Sequence, residues 1–237
     1  MKHYEFFPEQ ERGKSEISWL KSNFSFSFAN YYNPERMWFW ALRVINNDRV
    51  AAKNWFAMHP HDNMEIVTIA MEWSLTHRDS LWNHETLVPW EVQAMSAGTW
   101  VVHSEINEWD VEWEFFQIWI ETRDRMIEPQ YHQKRFEVSE RRWIFQLLAW
   151  NNKLAWNHLP IHQNAYISRV EISQGDMLSY EKYEQENGVY IMNIFWKFVI
   201  WDFALNYRDA LWITDVDTID ITAMGNSDLF IFEVPMH

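Results

Sequence analysis

Two short histidine motifs constrain this chain more than any other feature. His59 and His61 flank a single proline, and His103, which begins the second motif 42 positions after His61, is followed two residues later by Glu105. In a β-strand, alternate side chains point to the same face, so each motif on a strand presents its two polar side chains together. If two such strands are antiparallel neighbours, three imidazoles and one carboxylate meet at one place.

This set of side chains has the chemistry of a metal site. Imidazole and carboxylate together suit a borderline first-row divalent ion such as iron, with open positions left for water or substrate. The chain contains no cysteine, so disulfides and thiolate-bound metals are excluded. We therefore predict a metal site formed by His59, His61, His103 and Glu105.

Composition excludes several other classes of protein. The formal net charge of -14 argues against direct binding to nucleic acid or to an anionic membrane. The sequence has neither a run of 18 apolar residues nor an apolar N-terminal segment, so we expect no membrane span and no signal peptide. A cytoplasmic protein is the resulting expectation.

Short apolar runs recur at intervals of about 8–12 residues without a convincing helix between them, which is typical of a sandwich or barrel. In the first half the clearest predicted strands are Met64–Met71 and Val111–Ile120, whereas Asn46-Asn47-Asp48 has the composition of a turn. In the second half the runs include Trp143–Ala149 and Val189–Ile200.

A polar stretch without periodicity, residues 129–136, marks a junction between two halves. We therefore predict an all-β protein with an N-terminal domain over residues 1–136 and a C-terminal domain over residues 137–237. The second half repeats the rhythm of the first but lacks its ligands, because His158 and His162 do not form an i,i+2 pair and no His-x-Glu follows them. Only the first domain is expected to hold a metal.

The chain resembles the pirin family of the cupin superfamily, and within it the bacterial pirin-like quercetin dioxygenases. The resemblance is specific over residues 12–136 and general beyond them. The segments that carry it are Arg12-Gly13, Trp19-Leu20, Phe26-Ser27-Phe28-Ala29-Asn30-Tyr31-Tyr32, Leu42-Arg43-Val44-Ile45-Asn46, His59-Pro60-His61, Met64-Glu65-Ile66, His77-Arg78-Asp79-Ser80, Met95-Ser96-Ala97-Gly98, His103-Ser104-Glu105 and Gln117-Ile118-Trp119-Ile120.

The resemblance implies a bicupin, that is, two jelly-roll β-barrels in one chain, with iron, as Fe(II), bound by His59, His61, His103 and Glu105. Other first-row divalent metals stay open. It also implies a quercetin 2,3-dioxygenase acting on a flavonol-like substrate and O2, with Glu105 as the general base that takes the proton of the flavonol 3-hydroxyl. Glu65, which serves as a ligand in many other cupins, is expected to be structural here. A monomer is expected.

Two other functions remain open. Eukaryotic pirins that act as transcription coregulators imply a non-catalytic iron-binding protein whose oxidation state alters a surface for a protein partner. The third alternative is an inert β scaffold, because tryptophan replaces many family glycines: the chain has 5 glycines and 17 tryptophans. Either the turns are rebuilt, or the sequence is engineered or wrongly recorded. The positions concerned are Trp38, Lys53, Trp55, Ala57, Trp73, Trp82, Trp90, Trp100, Trp196, Trp201 and Trp212.

Overall fold

The fold was analysed in a computed structural model, which describes residues 4–151 and 157–236. Its regular structure is almost wholly β, and the helical elements of the described residues are two short 3₁₀ turns, Glu9–Glu11 and Val138–Arg141. The predicted all-β class is confirmed. None of the helical segments in the described part of the chain is long and apolar enough to cross a membrane.

The strands are numbered here in chain order. Those before the junction are β1 (Tyr4–Phe7), β2 (Gly13–Ile17), β3 (Leu20–Phe24), β4 (Leu42–Val50), β5 (Trp55–His61), β6 (Met64–Glu72), β7 (Leu75–Asp79), β8 (His84–Leu87), β9 (Glu91–Ser96), β10 (Val101–Ile106), β11 (Trp113–Glu121) and β12 (Gln130–Arg135). Those after it are β13 (Gln146–Trp150), β14 (Leu159–Pro160), β15 (Tyr166–Ile172), β16 (Met177–Glu181), β17 (Asn187–Phe195), β18 (Phe198–Ile200), β19 (Phe203–Leu205), β20 (Ala210–Ile213), β21 (Thr218–Ala223) and β22 (Ser227–Pro235).

The chain divides into two compact units. The N-terminal unit comprises Gly13–Phe136 and the described part of Asn151–Gln163, and the C-terminal unit comprises the described parts of Met1–Arg12, Glu137–Trp150 and Asn164–His237. A segment of the N-terminal unit ends at Phe136 and a segment of the C-terminal unit begins at Glu137, which is where the sequence predicted the junction. The domain limits expected from the sequence, 1–136 and 137–237, stay a prediction.

The N-terminal unit is built from two antiparallel sheets. The larger has the strand order β12-β9-β6-β11-β4-β3-β2, and the smaller has the order β5-β10-β7-β8. β6 and β11 lie side by side in the larger sheet, and both are buried on their two faces, which explains their almost continuous runs of β-branched and aromatic residues. The smaller sheet carries both histidine motifs.

The C-terminal unit has the same two-sheet construction. One sheet contains the order β1-β20-β17-β22-β15-β13, and the other has the order β16-β21-β18-β19. Between them lies a cluster of buried aliphatic side chains that includes Val170, Ile191, Ile213 and Ile231. Burial of that much apolar surface is the main stabilising contribution to such a unit.

Tryptophan occupies the left-handed backbone region at seven described positions. A residue with a β-carbon is strained there, by roughly 1–2 kcal/mol, and glycine is the usual choice. All seven side chains are exposed. The positions are Trp40, Trp73, Trp82, Trp90, Trp143, Trp196 and Trp201.

These positions include five at which the sequence predicted a missing glycine, namely Trp73, Trp82, Trp90, Trp196 and Trp201, and Lys53 is a sixth with positive φ. Trp40 and Trp143 were not foreseen. The strained residues sit at turns: Trp73, with φ of 58°, lies between β6 and β7.

Two local predictions were wrong. Asn46-Asn47-Asp48 is not a turn but the middle of β4, where the Asn47 amide donates a hydrogen bond of 2.9 Å to Glu114 on the neighbouring strand. Val189–Ile200 is not one strand, because β17 ends at Phe195, Trp196 has a φ of 65°, and β18 begins at Phe198.

Candidate metal centre

The structure brings the three histidines together. β5 and β10 are antiparallel neighbours with His103 directly opposite His59. The ring of His103 lies 4.3 Å from that of His59 and 4.9 Å from that of His61, measured between centroids. One ring nitrogen from each histidine lies within 4.8 Å of the others, and in the described part of the chain this trio is the group of potential ligands that meets that condition.

Burial favours the neutral imidazole at two of the three histidines. Burial, and then the neighbouring His59, lower the pKa of His61 to about 4 and also lower the pKa of His103. Nδ1 of His59 lies 2.8 Å from the Ala57 carbonyl oxygen, which can only accept, so Nδ1 donates this hydrogen bond and Nε2 is the ring nitrogen left to face a metal. A neutral imidazole with a free nitrogen is the form that binds a metal.

The spacing of the nitrogens fits a divalent ion. Nε2 of His61 and Nε2 of His103 are 3.0 Å apart. Two imidazole nitrogens bound at about 2.1 Å on adjacent octahedral positions are also separated by about 3.0 Å. This match in distance shows that the residues present fit an ion held by His59, His61 and His103. The other ring nitrogen of His103, Nδ1, is buried without a hydrogen-bond partner.

Glu105 lies on the same strand as His103 but outside the histidine cluster. The pairing of β10 with β5 shifts register between His103 and Glu105, because Glu105 lies opposite Phe56. Such a bulge re-aims the side chains beside it. The carboxylate accepts hydrogen bonds from the amide of Gln117, at 3.2 Å to Oε1 and 3.0 Å to Oε2. Its assignment as the fourth ligand remains a prediction.

Burial has a large effect on this carboxyl group. Glu105 is 2% exposed, and desolvation raises its pKa to about 8, although the hydrogen bonds from Gln117 act in the opposite direction. A carboxyl group with such a pKa can hold or release a proton near neutral pH.

A fourth histidine, His77, adjoins the cluster. Its ring centroid lies 5.3 Å from that of His103, and its Nε2 contacts Oδ2 of Asp79 at 3.0 Å. Burial lowers the pKa of His77, and the bond to Asp79 raises it. These contacts are those of a hydrogen-bonded histidine, and the sequence did not predict its closeness to His103.

Two other residues were missed because their types carry no metal signature. Trp119 packs its ring edge to face against His61, with centroids 4.8 Å apart, and Gln117 holds Glu105. Both belong to β11, and their i,i+2 spacing puts them on one face. Trp55 and Trp100, which the sequence placed near the motifs, are instead more than half exposed.

Glu65 lies elsewhere in the N-terminal unit. It is fully buried in β6, and its Oε2 accepts a 2.5 Å hydrogen bond from the hydroxyl of Ser96 on β9. Burial raises its pKa. These contacts are those of a residue that links two strands.

Comparison with known proteins agrees with this geometry. The family model described as Pirin matches residues 6–120, and the model described as the quercetinase C-terminal cupin domain matches residues 152–234. The chain is 36% identical to the quercetin 2,3-dioxygenase of Escherichia coli strain K12, across 95% of this chain and 96% of that protein. This chain belongs to the pirin family.

Other pirins are equally similar along their whole length. The putative quercetin 2,3-dioxygenase of Zymomonas mobilis is 36% identical over 94% of each chain, and the pirin-like protein of Caulobacter vibrioides is 33% identical over 95% of this chain and 97% of its own. The resemblance stated from the sequence is confirmed.

Solved structures show the same architecture. The crystal structure of YhhW from Escherichia coli superposes with a TM-score of 0.92 at 34% identity, covering 98% of this chain and 97% of that one. The nickel(II) complex of bacterial pirin YhhW gives a TM-score of 0.91, also at 34% identity, covering 98% and 99%. With the two-sheet units described above, these matches confirm the bicupin fold with two jelly rolls.

Proposed function

We propose that this pirin is a metal-dependent dioxygenase that opens the heterocyclic ring of a flavonol such as quercetin with O2. The observation that carries the proposal is the convergence of His59, His61 and His103 on one point, with the titratable Glu105 on the same strand as His103. Relatives named quercetin 2,3-dioxygenase, similar along the whole chain, supply the substrate class.

His59, His61 and His103 would hold the metal, and Glu105 is proposed to complete the set. We propose Fe(II), and Ni(II) is the second candidate because a related pirin has been crystallised with it. Imidazole nitrogen suits both ions. When bound, the ion supplies a Lewis acid and a template for the substrate and O2.

Glu105 is the proposed general base. Its carboxylate takes the proton of the flavonol 3-hydroxyl on one of its two oxygens. Burial favours the protonated form of this carboxyl group, which favours its taking a proton from the substrate. Gln117 keeps both oxygens of the base oriented.

The overall reaction is balanced without a reductant. One flavonol and one O2 give a ring-opened product and one carbon monoxide, because both atoms of O2 enter the ring-opened product and the carbon that bears the 3-hydroxyl leaves with its own oxygen. The chain therefore needs no binding site for a nicotinamide or flavin.

The test is to load the purified protein anaerobically with Fe(II) or Ni(II), add quercetin and air, and follow the flavonol absorbance, O2 consumption and carbon monoxide. We expect all three to change in equal amounts, and Glu105→Gln to slow the reaction by about 100-fold or more, as is typical for loss of a general base. His84→Ala, at an exposed histidine outside the cluster, is the matched control. Unchanged absorbance and O2 with metal-loaded protein would contradict the proposal.

A further inference from the structure

Two side chains of β11 link Glu105 to His61. The indole Nε1 of Trp119 donates a hydrogen bond of 3.0 Å to Oε1 of Gln117. Nε2 of Gln117 in turn donates to both oxygens of Glu105. The same indole packs edge to face on the ring of His61. One continuous set of contacts thus joins a histidine of the trio to the carboxylate that lies outside it.

The indole fixes the direction of the central amide. A glutamine side chain has similar nitrogen and oxygen ends, so its orientation follows from its partners. An indole N–H can only donate, and therefore the amide oxygen of Gln117 faces Trp119 while its N–H group faces Glu105. Without the indole donor, the amide would be free to turn its oxygen toward the carboxylate, where two acceptors repel each other.

Packing holds this arrangement in place. Trp119 packs against a buried apolar cluster containing Ile66, Met95 and Val101, and Gln117 is 7% exposed. Neither side chain can change direction without disturbing the interior. Each is therefore suited to hold another group rather than to react.

We propose that Trp119 and Gln117 are positioning residues that fix the Glu105 carboxylate relative to His61 and so raise the affinity of the site for a divalent metal. This inference rests on the proposed function, because it assumes that Glu105 joins the histidines as a ligand. Gln117 and Trp119 thus act on the site through Glu105 and His61 and do not bind the metal themselves.

Metal affinity measures this role without catalysis. Ni(II) is titrated calorimetrically into metal-free wild type, Gln117→Leu and Trp119→Phe. Loss of a group that orients a ligand typically lowers affinity by about 10–100-fold, so we expect that range for Gln117→Leu. Trp119→Phe keeps a ring beside His61 but removes the donor, and we expect a loss of about 10-fold.

The matched control is Trp113→Phe. Trp113 lies on the same strand, is fully buried, and its indole nitrogen makes no hydrogen bond, so the substitution removes similar volume without touching Glu105. Its Ni(II) affinity should stay within about twofold of wild type, as expected for a site without shared partners. Thermal unfolding of every variant confirms that folding is retained.

A second measurement separates positioning from general damage. If Gln117 acts through Glu105, Gln117→Leu should change Ni(II) affinity by less than about twofold when Glu105→Gln is already present. Wild-type affinity in both Trp119→Phe and Gln117→Leu would overturn the inference while leaving the proposed function intact. If the wild type binds neither Ni(II) nor Fe(II), both this inference and the proposed function are overturned.

Discussion

The interiors of the two units differ although their sheets are built alike. The smaller sheet of the N-terminal unit carries the cluster of His59, His61 and His103, whereas the C-terminal unit fills the space between its sheets with mostly aliphatic side chains. In the first, buried polar groups depend on a few specific partners, such as Gln117 for Glu105. In the second, stability depends on area removed from water. The comparison shows that one two-sheet framework can support either a binding site or a solid core, according to which residues face inward.

The strongest way to break this comparison is to remove a ligand. His103→Ala deletes the fully buried imidazole of the trio. We expect the affinity for Ni(II) or Fe(II) to fall by more than about 100-fold, because loss of groups that merely orient ligands already costs about 10–100-fold. Calorimetric titration measures the change, with His84→Ala as the surface control. Retained affinity would show that the trio is not the metal site.

The corresponding test in the C-terminal unit is Ile231→Ala. This side chain is fully buried in β22, and its truncation should lower the free energy of unfolding by about 2–5 kcal/mol. Urea unfolding of the metal-free protein gives that value. Metal affinity should remain close to that of wild type. A loss of affinity comparable with His103→Ala would show that the two units do not divide these roles.

The strained turns occur in both units and should respond alike. Trp73→Gly in the N-terminal unit and Trp201→Gly in the C-terminal unit each relieve a positive φ, so we expect each to raise the free energy of unfolding by about 1 kcal/mol.

Trp55→Gly is the matched control for these turns. Its exposure of 56% is close to the 54% of Trp73, but it is the first residue of β5, where it pairs with Ile106 and has no positive φ. Glycine within a strand is expected to destabilise by about 0.5–1 kcal/mol, which is the opposite sign. Equal effects of all three substitutions in urea unfolding would contradict the assignment of strain to the backbone.

The smallest expected effect concerns pH. Burial raises the pKa of Glu65 in the folded protein above its ordinary value of 4.5, so the folded state binds a proton more tightly than the unfolded chain does. Its contribution to stability is present at low pH and is lost as pH rises from 4.5 through the folded pKa.

Glu65→Gln removes this titration and retains an oxygen that can accept from Ser96. The free energy of unfolding of the metal-free variant should therefore fall less between pH 5 and pH 8 than that of wild type. Urea unfolding across this range tests the point. Parallel pH profiles of the two proteins would contradict it.

The sequence predicted most of the architecture and the three histidines, for physical reasons. β6 and β11 were recognised because strands buried on both faces need continuous apolar runs, and β6 was expected to begin at Met64, where it does. The convergence of His59, His61 and His103 follows from strand alternation once β5 and β10 pair.

The failures have equally local causes. Asn47 looks like a turn residue, but inside the fold its amide pairs with Glu114, so tertiary contacts override the composition. The turn between β17 and β18 was not predicted because Trp196 occupies it, and tryptophan is a residue that favours strands. Gln117 and Trp119 could have been suspected only from their i,i+2 spacing on a buried strand, since neither residue type indicates a metal.

The tryptophans at the strained turns bear on how the gene is translated. The seven with positive φ share exposure and a backbone suited to glycine, whereas Trp113 is fully buried, Trp119 packs against a buried cluster, and neither has a positive φ. Such a division is expected if one codon written as tryptophan is decoded as glycine while another keeps its usual meaning. Peptide mass spectrometry of protein from its native cells should then find glycine at positions such as Trp73 and Trp201, and tryptophan at Trp113 and Trp119.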